Sequence, residues 1–268
     1  MVNFFTSVQE KGNFPPGLDA GAVKNRETLA GKADEIYDAH PNLVVRLPAD
    51  DHPVVVKWFG WRHPLHRLLS PTFPSRAYMS WSVGHALQEL GALTPDPLYV
   101  YTRRERGIIH DNFLITKAIH PHTRLRSLIV SDAPEELMET AMANLARSIA
   151  RMHGGGIFHR DLTSGNFLVD DNGQTYIVDL NRARRFKKLS TYQILTDLAR
   201  INFKARDRGA EERLTRRFFQ VYREESKMTR SLLGGYRDYR KSLIRQRRLG
   251  KTLRRGFRPQ RHGDTEKR

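Results

Sequence analysis

The sequence predicts an α+β fold in two lobes: a small N-terminal lobe with an antiparallel sheet plus a helix, and a mostly helical C-terminal lobe. Two patterns carry this reading. Short apolar runs of strand length, LVVRL (Leu43–Leu47), VVVKWF (54–59), PLYVY (97–101) and NFLITKAI (112–119), crowd the first half, each bounded by polar or turn residues. From residue 134 onward the apolar residues recur every three or four positions instead, the period of a helix face. Between the two regimes lies TKAIHPHT (116–123), where strand character stops; it reads as the crossing between lobes. The expected division is an irregular lead over 1–22, an N-terminal lobe over 23–118, a catalytic C-terminal lobe over 119–235 and a basic tail over 236–268.

Each element has a local reason. Residues 1–22 contain Pro15-Pro16-Gly17 and little periodicity, hence the irregular lead. In VVVKWF, Lys57 sits among apolar neighbours, where an ammonium group needs a partner or a cleft; a nucleotide phosphate would serve. The segment WFGWRHPLHRLLSPTFP (58–74) interleaves aromatic and leucine residues with Arg and His, which suits either docking on a lipid surface or packing over the lobe, and its prolines limit it to short helical pieces. Residues 76–90 have helical spacing in Ala77, Trp81, Gly84 or His85, and Leu87, closed by Gly91 and the turn TPDP. In 134–153 the residues Leu137, Ala141, Leu145, Ile149 and Met152 form one apolar stripe, and Gly154-Gly155-Gly156 supplies a helix C-cap.

That helix leads into HRDLTSGN, residues 159–166. Asp161 offers a carboxylate to an acceptor hydroxyl, and five residues later Asn166 offers an amide oxygen. NFLV (166–169) and TYIVDL (175–180) read as two short strands joined at Asn172-Gly173, a strong hairpin signal. Folding the hairpin brings Asn166 toward Asp179, thirteen residues on, so that both hard oxygen ligands reach one Mg²⁺. A base, an amide and a second carboxylate in this order are what metal-assisted phosphoryl transfer needs. After the basic run NRARRFKK (181–188) a helix, TYQILTDLARINF (191–203), begins at once; Asp197 on it either accepts hydrogen bonds from the catalytic-loop backbone or faces solvent. Only 17 residues separate Asp179 from Asp197, too few for a long peptide-binding loop, which favours a small or glycolipid acceptor.

Composition sets the outer bounds. The 268 residues are 39% hydrophobic, enough for a core, and contain no cysteine, which excludes disulfides, thiolate catalysis and cysteine-ligated zinc. No apolar run reaches the roughly 18 residues of a membrane span, and the first residues lack the order of a signal peptide, so a soluble, cytoplasmic chain is expected. The net charge is +17, and residues 237–268 hold thirteen Lys or Arg against three Asp or Glu, a surplus of ten. Tyr236, Tyr239 and Leu243, then Leu249, Leu253 and Phe257, stand at helical spacing among these arginines. The pattern suits an anionic membrane surface; a merely solvated tail is the next reading, and nucleic acid the least favoured.

Taken together, VVVK around Lys57, SRAYMSW (75–81), GALTPDPL (91–98), HGGGIFHRDLTSGNFLV (153–169), YIVDLNRAR (176–184) and TDLARIN (196–202) resemble the lipopolysaccharide core kinases, the Kdo/heptose kinases of the WaaP/InaA type, with a protein-kinase-like fold. The resemblance implies transfer of the γ-phosphate of ATP to a sugar hydroxyl of the lipopolysaccharide inner core, Kdo or heptose, at the inner face of the cytoplasmic membrane. It implies Asp161 as base, His159 and Arg160 as residues shaping its loop, Asn166 and Asp179 as Mg²⁺ ligands, and Lys57 on the α- and β-phosphates. Two departures stand out. The helix glutamate that pairs with the strand lysine is Ser80 here, and Glu89, nine residues on, lies about 180° around the helix. No Gly-rich loop precedes Lys57; the nearest candidate is Ala30-Gly31-Lys32-Ala33, with Lys32 as an auxiliary phosphate contact. The alternatives are a phosphotransferase for another small molecule or a protein, or a degenerate nucleotide-binding pseudokinase.

Overall fold

Alternation along the two central runs decides how the N-terminal lobe is built. In the computed structural model, which describes residues 6–61, 67, 70–226, 236, 239, 241–242 and 245, strands β3 (Leu43–Leu47) and β4 (Val54–Trp58) bury every second side chain. Leu43, Val45, Leu47, Val54, Val56 and Trp58 enter one core, while Val44, Val55 and Lys57 face the other side, as a period of two requires. Phe113 lies between Trp58 and Tyr101, with ring centroids 5.4 and 5.0 Å away, and the Trp58 indole N–H donates to the Val23 carbonyl at 3.0 Å.

The sheet has six antiparallel strands. With β1 (Thr6–Gly12), β2 (Glu35–Asp38), β5 (Pro97–Glu105) and β6 (Ile108–Lys117), their order is β1-β5-β6-β4-β3-β2. Strand β1 corrects the expectation of an irregular lead. All seven of its residues are exposed and it is held by pairing with β5, Thr6 opposite Glu105 through Gly12 opposite Tyr99. An edge strand that buries neither face leaves no alternation to read. Two short helices follow it, α1 (Ala20–Val23) and α2 (Arg26–Gly31), each N-capped by a side chain, Asp19 and Asn25.

Helix α3 (Arg76–Glu89) begins at Ser75, whose Oγ accepts from the Tyr78 N–H at 3.1 Å, and ends where Gly91 adopts a positive φ of 66°. It buries Ala77, Ser80, Val83, Gly84, Ala86 and Leu87, packing on β5 and against the turn that follows Asp179. Residues 62–66 and 68–69 of the aromatic and basic segment before this helix lie outside the described residues.

After the crossing, β7 (Thr123–Arg124) and α4 (Leu125–Val130) lead to α5 (Glu135–Gly154). Ala141, Leu145, Ile149 and Met152 of the expected stripe are fully buried, and Leu137 packs at the edge of the same core. Glu135 and Glu136 in the first turn of α5 and Arg151 and His153 in its last complement the helix dipole. Gly155 caps its end and Gly156 takes φ 76°, as the three glycines suggest. Strands β8 (Ile157–Phe158), β9 (Phe167–Val169), β10 (Thr175–Ile177) and β11 (Arg184–Arg185) form small sheets around the catalytic loop. Helices α6 (Thr191–Arg200) and α7 (Arg208–Ser226) close the lobe. α6 starts with a capping box between Ser190 and Gln193, and α7 lies along α5 through Leu214, Phe218, Val221 and Tyr222. Phe218 is fully buried among Phe203, Phe219 and Tyr222, where truncation to alanine would cost about 3–5 kcal/mol. Both lobes thus have their own core, in an α+β kinase-like arrangement.

Candidate active site

A cleft of about 240 Å³ runs between the sheet and the helical lobe. Because β3 and β4 turn their alternate residues away from the core, Val44, Val55 and Lys57 form its roof. Leu168 on β9, with Asn166 and Asp179, lies across from them, and Lys117, Ile119 and His122 of the crossing close one side. The crossing thus borders the same space as Lys57.

The hairpin brings Asn166 and Asp179 together, though by a different local geometry from two full strands. Asn166 ends a 3₁₀ turn (Ser164–Asn166), and β10 stops at Ile177. The Val178 N–H donates to the Asn166 carbonyl at 3.0 Å, and Asp179 then takes left-handed backbone angles, φ 64° and ψ 50°. Aspartate tolerates that region better than most residues. The twist carries its carboxylate to Lys57, whose ammonium donates to Oδ1 at 2.6 Å. Burial alone would raise the Asp179 pKa, but the charge and hydrogen bond of Lys57 outweigh it and hold the carboxyl below the usual value. Lys57 is therefore paired without a helix acid: the buried Ser80 hydroxyl bonds back to the Arg76 carbonyl at 2.9 Å, and Glu89 is exposed.

The catalytic loop is held from below. Asp197, fully buried on α6, accepts from the backbone N–H groups of His159 (2.7 Å) and Arg160 (2.9 Å). Of the two readings of Asp197, the supporting one holds. The anchor fixes Arg160 at φ 69°, with its side chain exposed. The His159 ring is fully buried, and burial lowers its pKa despite nearby carboxylates. Neutral, it places the Nε2 proton on the Val178 carbonyl (3.2 Å) and accepts at Nδ1 from the Asp161 N–H (3.3 Å). One ring thereby ties Asp161 to the strand that carries Asp179.

Asp161 itself is a third exposed and stands between two cations, Arg182 at 3.3 Å and Arg200 at 3.5 Å. Its backbone carbonyl accepts from Asn166 Nδ2 at 2.8 Å, which leaves the amide oxygen of Asn166 as the free end. Among the described residues no group of three or more His, Cys, Asp or Glu stands together as a metal cage. One carboxylate and one amide oxygen are hard donors of the kind Mg²⁺ takes, so Asp179 and Asn166 would be the residues to hold it.

Lys32 is not brought to this site. It caps α2 and pairs with Asp19 at 2.8 Å on the surface, and it does not line the cleft. A short helix rather than a flexible loop carries it, which fixes its direction. Sequence reasoning missed four contributors. Arg182 and Arg200 lie within segments that carried the resemblance, yet their spacing to Asp161 is set only by the fold. His153 and Tyr222 pack beside Asp197: the Tyr222 hydroxyl lies 2.8 Å from His153 Nδ1, and His153 Nε2, which makes no hydrogen bond, lies 3.5 Å from the Asp197 carboxylate. Burial first, then Asp197, raises the pKa of the Tyr222 hydroxyl and keeps it protonated.

Residues 60–222 match the model of the lipopolysaccharide kinase (Kdo/WaaP) family. A 3-deoxy-D-manno-octulosonic acid kinase of Vibrio cholerae is 23% identical over 141 residues, 52% of this chain and 52% of that protein. One of Stenotrophomonas maltophilia is 32% identical over 111 residues, 40% and 41% of the two chains. The DNA damage-responsive serine/threonine-protein kinase RqkA of Deinococcus radiodurans is 44% identical over 59 residues, 22% of this chain and 9% of that protein. The chain spans about half or less of the length of these curated relatives.

Proposed function

The chain belongs to the lipopolysaccharide kinase (Kdo/WaaP) family, and from that premise we propose that it transfers the γ-phosphate of ATP to a hydroxyl of the acidic inner-core sugar for which its relatives are named. One observation carries the reading: Lys57, Asn166 and Asp179 line a single cleft, and Asn166 and His159 hold the backbone of Asp161 next to it. Asp161 takes the proton of the acceptor hydroxyl, the freed oxygen bonds to the γ-phosphorus, and the bond to the bridging oxygen breaks so that ADP leaves with the electron pair. Lys57 would bind the α- and β-phosphates. Asn166 and Asp179 would hold Mg²⁺, which supplies neutralising charge to the phosphate oxygens when bound. Val44, Val55, Ile119 and Leu168 offer apolar surface to the adenine.

The short stretch from Asp179 to Asp197 supports a compact acceptor over a peptide. Ser80 favours the pseudokinase reading, but the pairing of Lys57 with Asp179 and the intact trio weigh against it. Among the described residues no helix is long and apolar enough to cross a membrane, so access to a glycolipid is assigned to surface attachment through the basic tail. The test is phosphate transfer from γ-labelled ATP to purified inner-core glycolipid. Wild type is expected to label it, and Asp161→Ala to lose at least about a hundredfold in turnover while still binding ATP. Labelling of casein but never of glycolipid, or full turnover in Asp161→Ala, would overturn the proposal.

A further inference from the structure

Asp161 is flanked by more positive charge than it needs. Arg200, on the last turn of α6, is about three-quarters buried and lies 3.5 Å from Oδ1. Arg182, just past Asp179, is 63% exposed and reaches Oδ2 with one N–H at 3.3 Å, a long contact for a charged pair. Arginine has five N–H donors in a fork that fits a carboxylate two at a time. Two residues on, Arg184 is half-buried, and burial together with the neighbouring Arg160 lowers its pKa below the ordinary guanidinium value. Arg182 is thus an exposed guanidinium with most of its donors uncommitted to Asp161, within hydrogen-bonding distance of the base that an acceptor hydroxyl must reach.

Resting on the kinase reading above, we infer that Arg182 is the specificity residue for an acceptor sugar carrying a carboxylate on the same ring as the phosphorylated hydroxyl. In the free protein Asp161 stands in for that carboxylate. When the acceptor binds, its carboxylate takes the Arg182 fork, Arg200 alone keeps Asp161 in place, and the released Oδ2 faces the hydroxyl proton. The γ-phosphate is the other anion near this point, and the two sources separate kinetically. A carboxylate partner ties Arg182 to the acceptor, whereas a phosphate partner ties it to ATP.

The experiment compares the inner-core glycolipid with the same glycolipid methyl-esterified at its sugar carboxylate, using wild type, Arg182→Ala and Arg182→Lys. Wild type is expected to prefer the free acid in kcat/KM by roughly 10- to 100-fold, the value of a charge-assisted pair. Arg182→Ala should erase that preference by losing far more activity on the acid than on the ester, with KM for ATP unchanged, and Arg182→Lys should retain part of it. Equal loss on acid and ester assigns Arg182 to positioning Asp161 and overturns the inference. A raised KM for ATP assigns it to the phosphate and does the same. Wild type that phosphorylates neither glycolipid overturns the kinase reading, and this inference with it.

Discussion

Lys57 and Asp179 meet across the cleft at 2.6 Å, joining a central strand of one lobe to the left-handed turn after β10 in the other. The contact explains how the chain dispenses with a helix acid at Ser80: the left-handed backbone of Asp179 turns its carboxylate to the lysine. The pair is also a latch between lobes.

Lys57→Met is expected to leave the half-buried Asp179 carboxylate without its cation. The loss should be about 1–3 kcal/mol of stability, with turnover down by about a hundredfold or more. The acid limb distinguishes this from a simple packing defect. A depressed carboxyl pKa stabilises the fold above the unfolded value of about 3.9 and loses that stabilisation as pH falls through the folded value. Removing Lys57 should therefore raise the pH of acid unfolding, which circular dichroism during an acid titration would follow. An unchanged acid midpoint would contradict the latch.

Asp197→Ala removes the acceptor for two buried backbone N–H groups at once. Each stranded donor costs about 1–3 kcal/mol, so a loss of about 2–5 kcal/mol in urea unfolding is expected. Asp197→Asn keeps one acceptor oxygen and should fall between. Freed of the anchor, Arg160 would leave its positive φ and move Asp161, so the stable fraction of Asp197→Asn should show reduced kcat with little change in KM for ATP. Normal kcat in that variant would argue that His159 alone positions the loop.

What could be read in advance follows from where each signal resides. The strands around Lys57 and the stripe of α5 were legible because half-buried elements write their period into the chain. The candidate trio Asp161, Asn166 and Asp179 was legible because its spacing is local, 161 to 166 to 179. Strand β1 was not, since backbone pairing to β5 holds it and burial does not. Arg182, Arg200, His153 and Tyr222 were not, since their roles arise from tertiary distances that no spacing records. Ser80 looked like a missing partner in the sequence and became a buried, back-bonded helix residue in the fold, with the cation served from the other lobe.

The neutral, fully buried His159 makes stability depend on mild acid. Its folded pKa lies below the unfolded value of about 6.5, so the unfolded chain binds an extra proton in the interval between them. Stability attributable to this group is complete above about pH 6.5 and falls as pH drops toward the folded pKa, by up to about 1.4 kcal/mol per pH unit. Urea midpoints at pH 7.5 and 5.5 should differ in wild type, and the difference should shrink in His159→Asn, whatever that variant's absolute stability. An equal difference in both proteins would assign the acid sensitivity to other groups.

The start of the basic tail belongs to the lobe, which changes how its membrane role must be tested. Tyr236 is buried against Phe219, with ring centroids 4.5 Å apart, and the Tyr239 hydroxyl lies 2.8 Å from Thr196 Oγ1, next to Asp197 in sequence. The Tyr236 side chain is therefore unavailable to lipid, contrary to the amphipathic reading, and Tyr239 is half-buried against the lobe; the remaining members Leu243, Leu249, Leu253 and Phe257 lie outside the described residues. Cutting before Tyr236 would disturb the core of the catalytic lobe and confound attachment with misfolding. Truncation after Arg245 keeps both tyrosines and removes nine Lys or Arg against two acids, each cation being worth about 1 kcal/mol near an anionic bilayer. The truncated protein is expected to stay with the supernatant when anionic vesicles are sedimented at physiological salt, while the full chain pellets and both bind ATP equally. Equal pelleting of the two proteins would remove the tail from membrane attachment, and pelleting of neither would leave it a solvated extension.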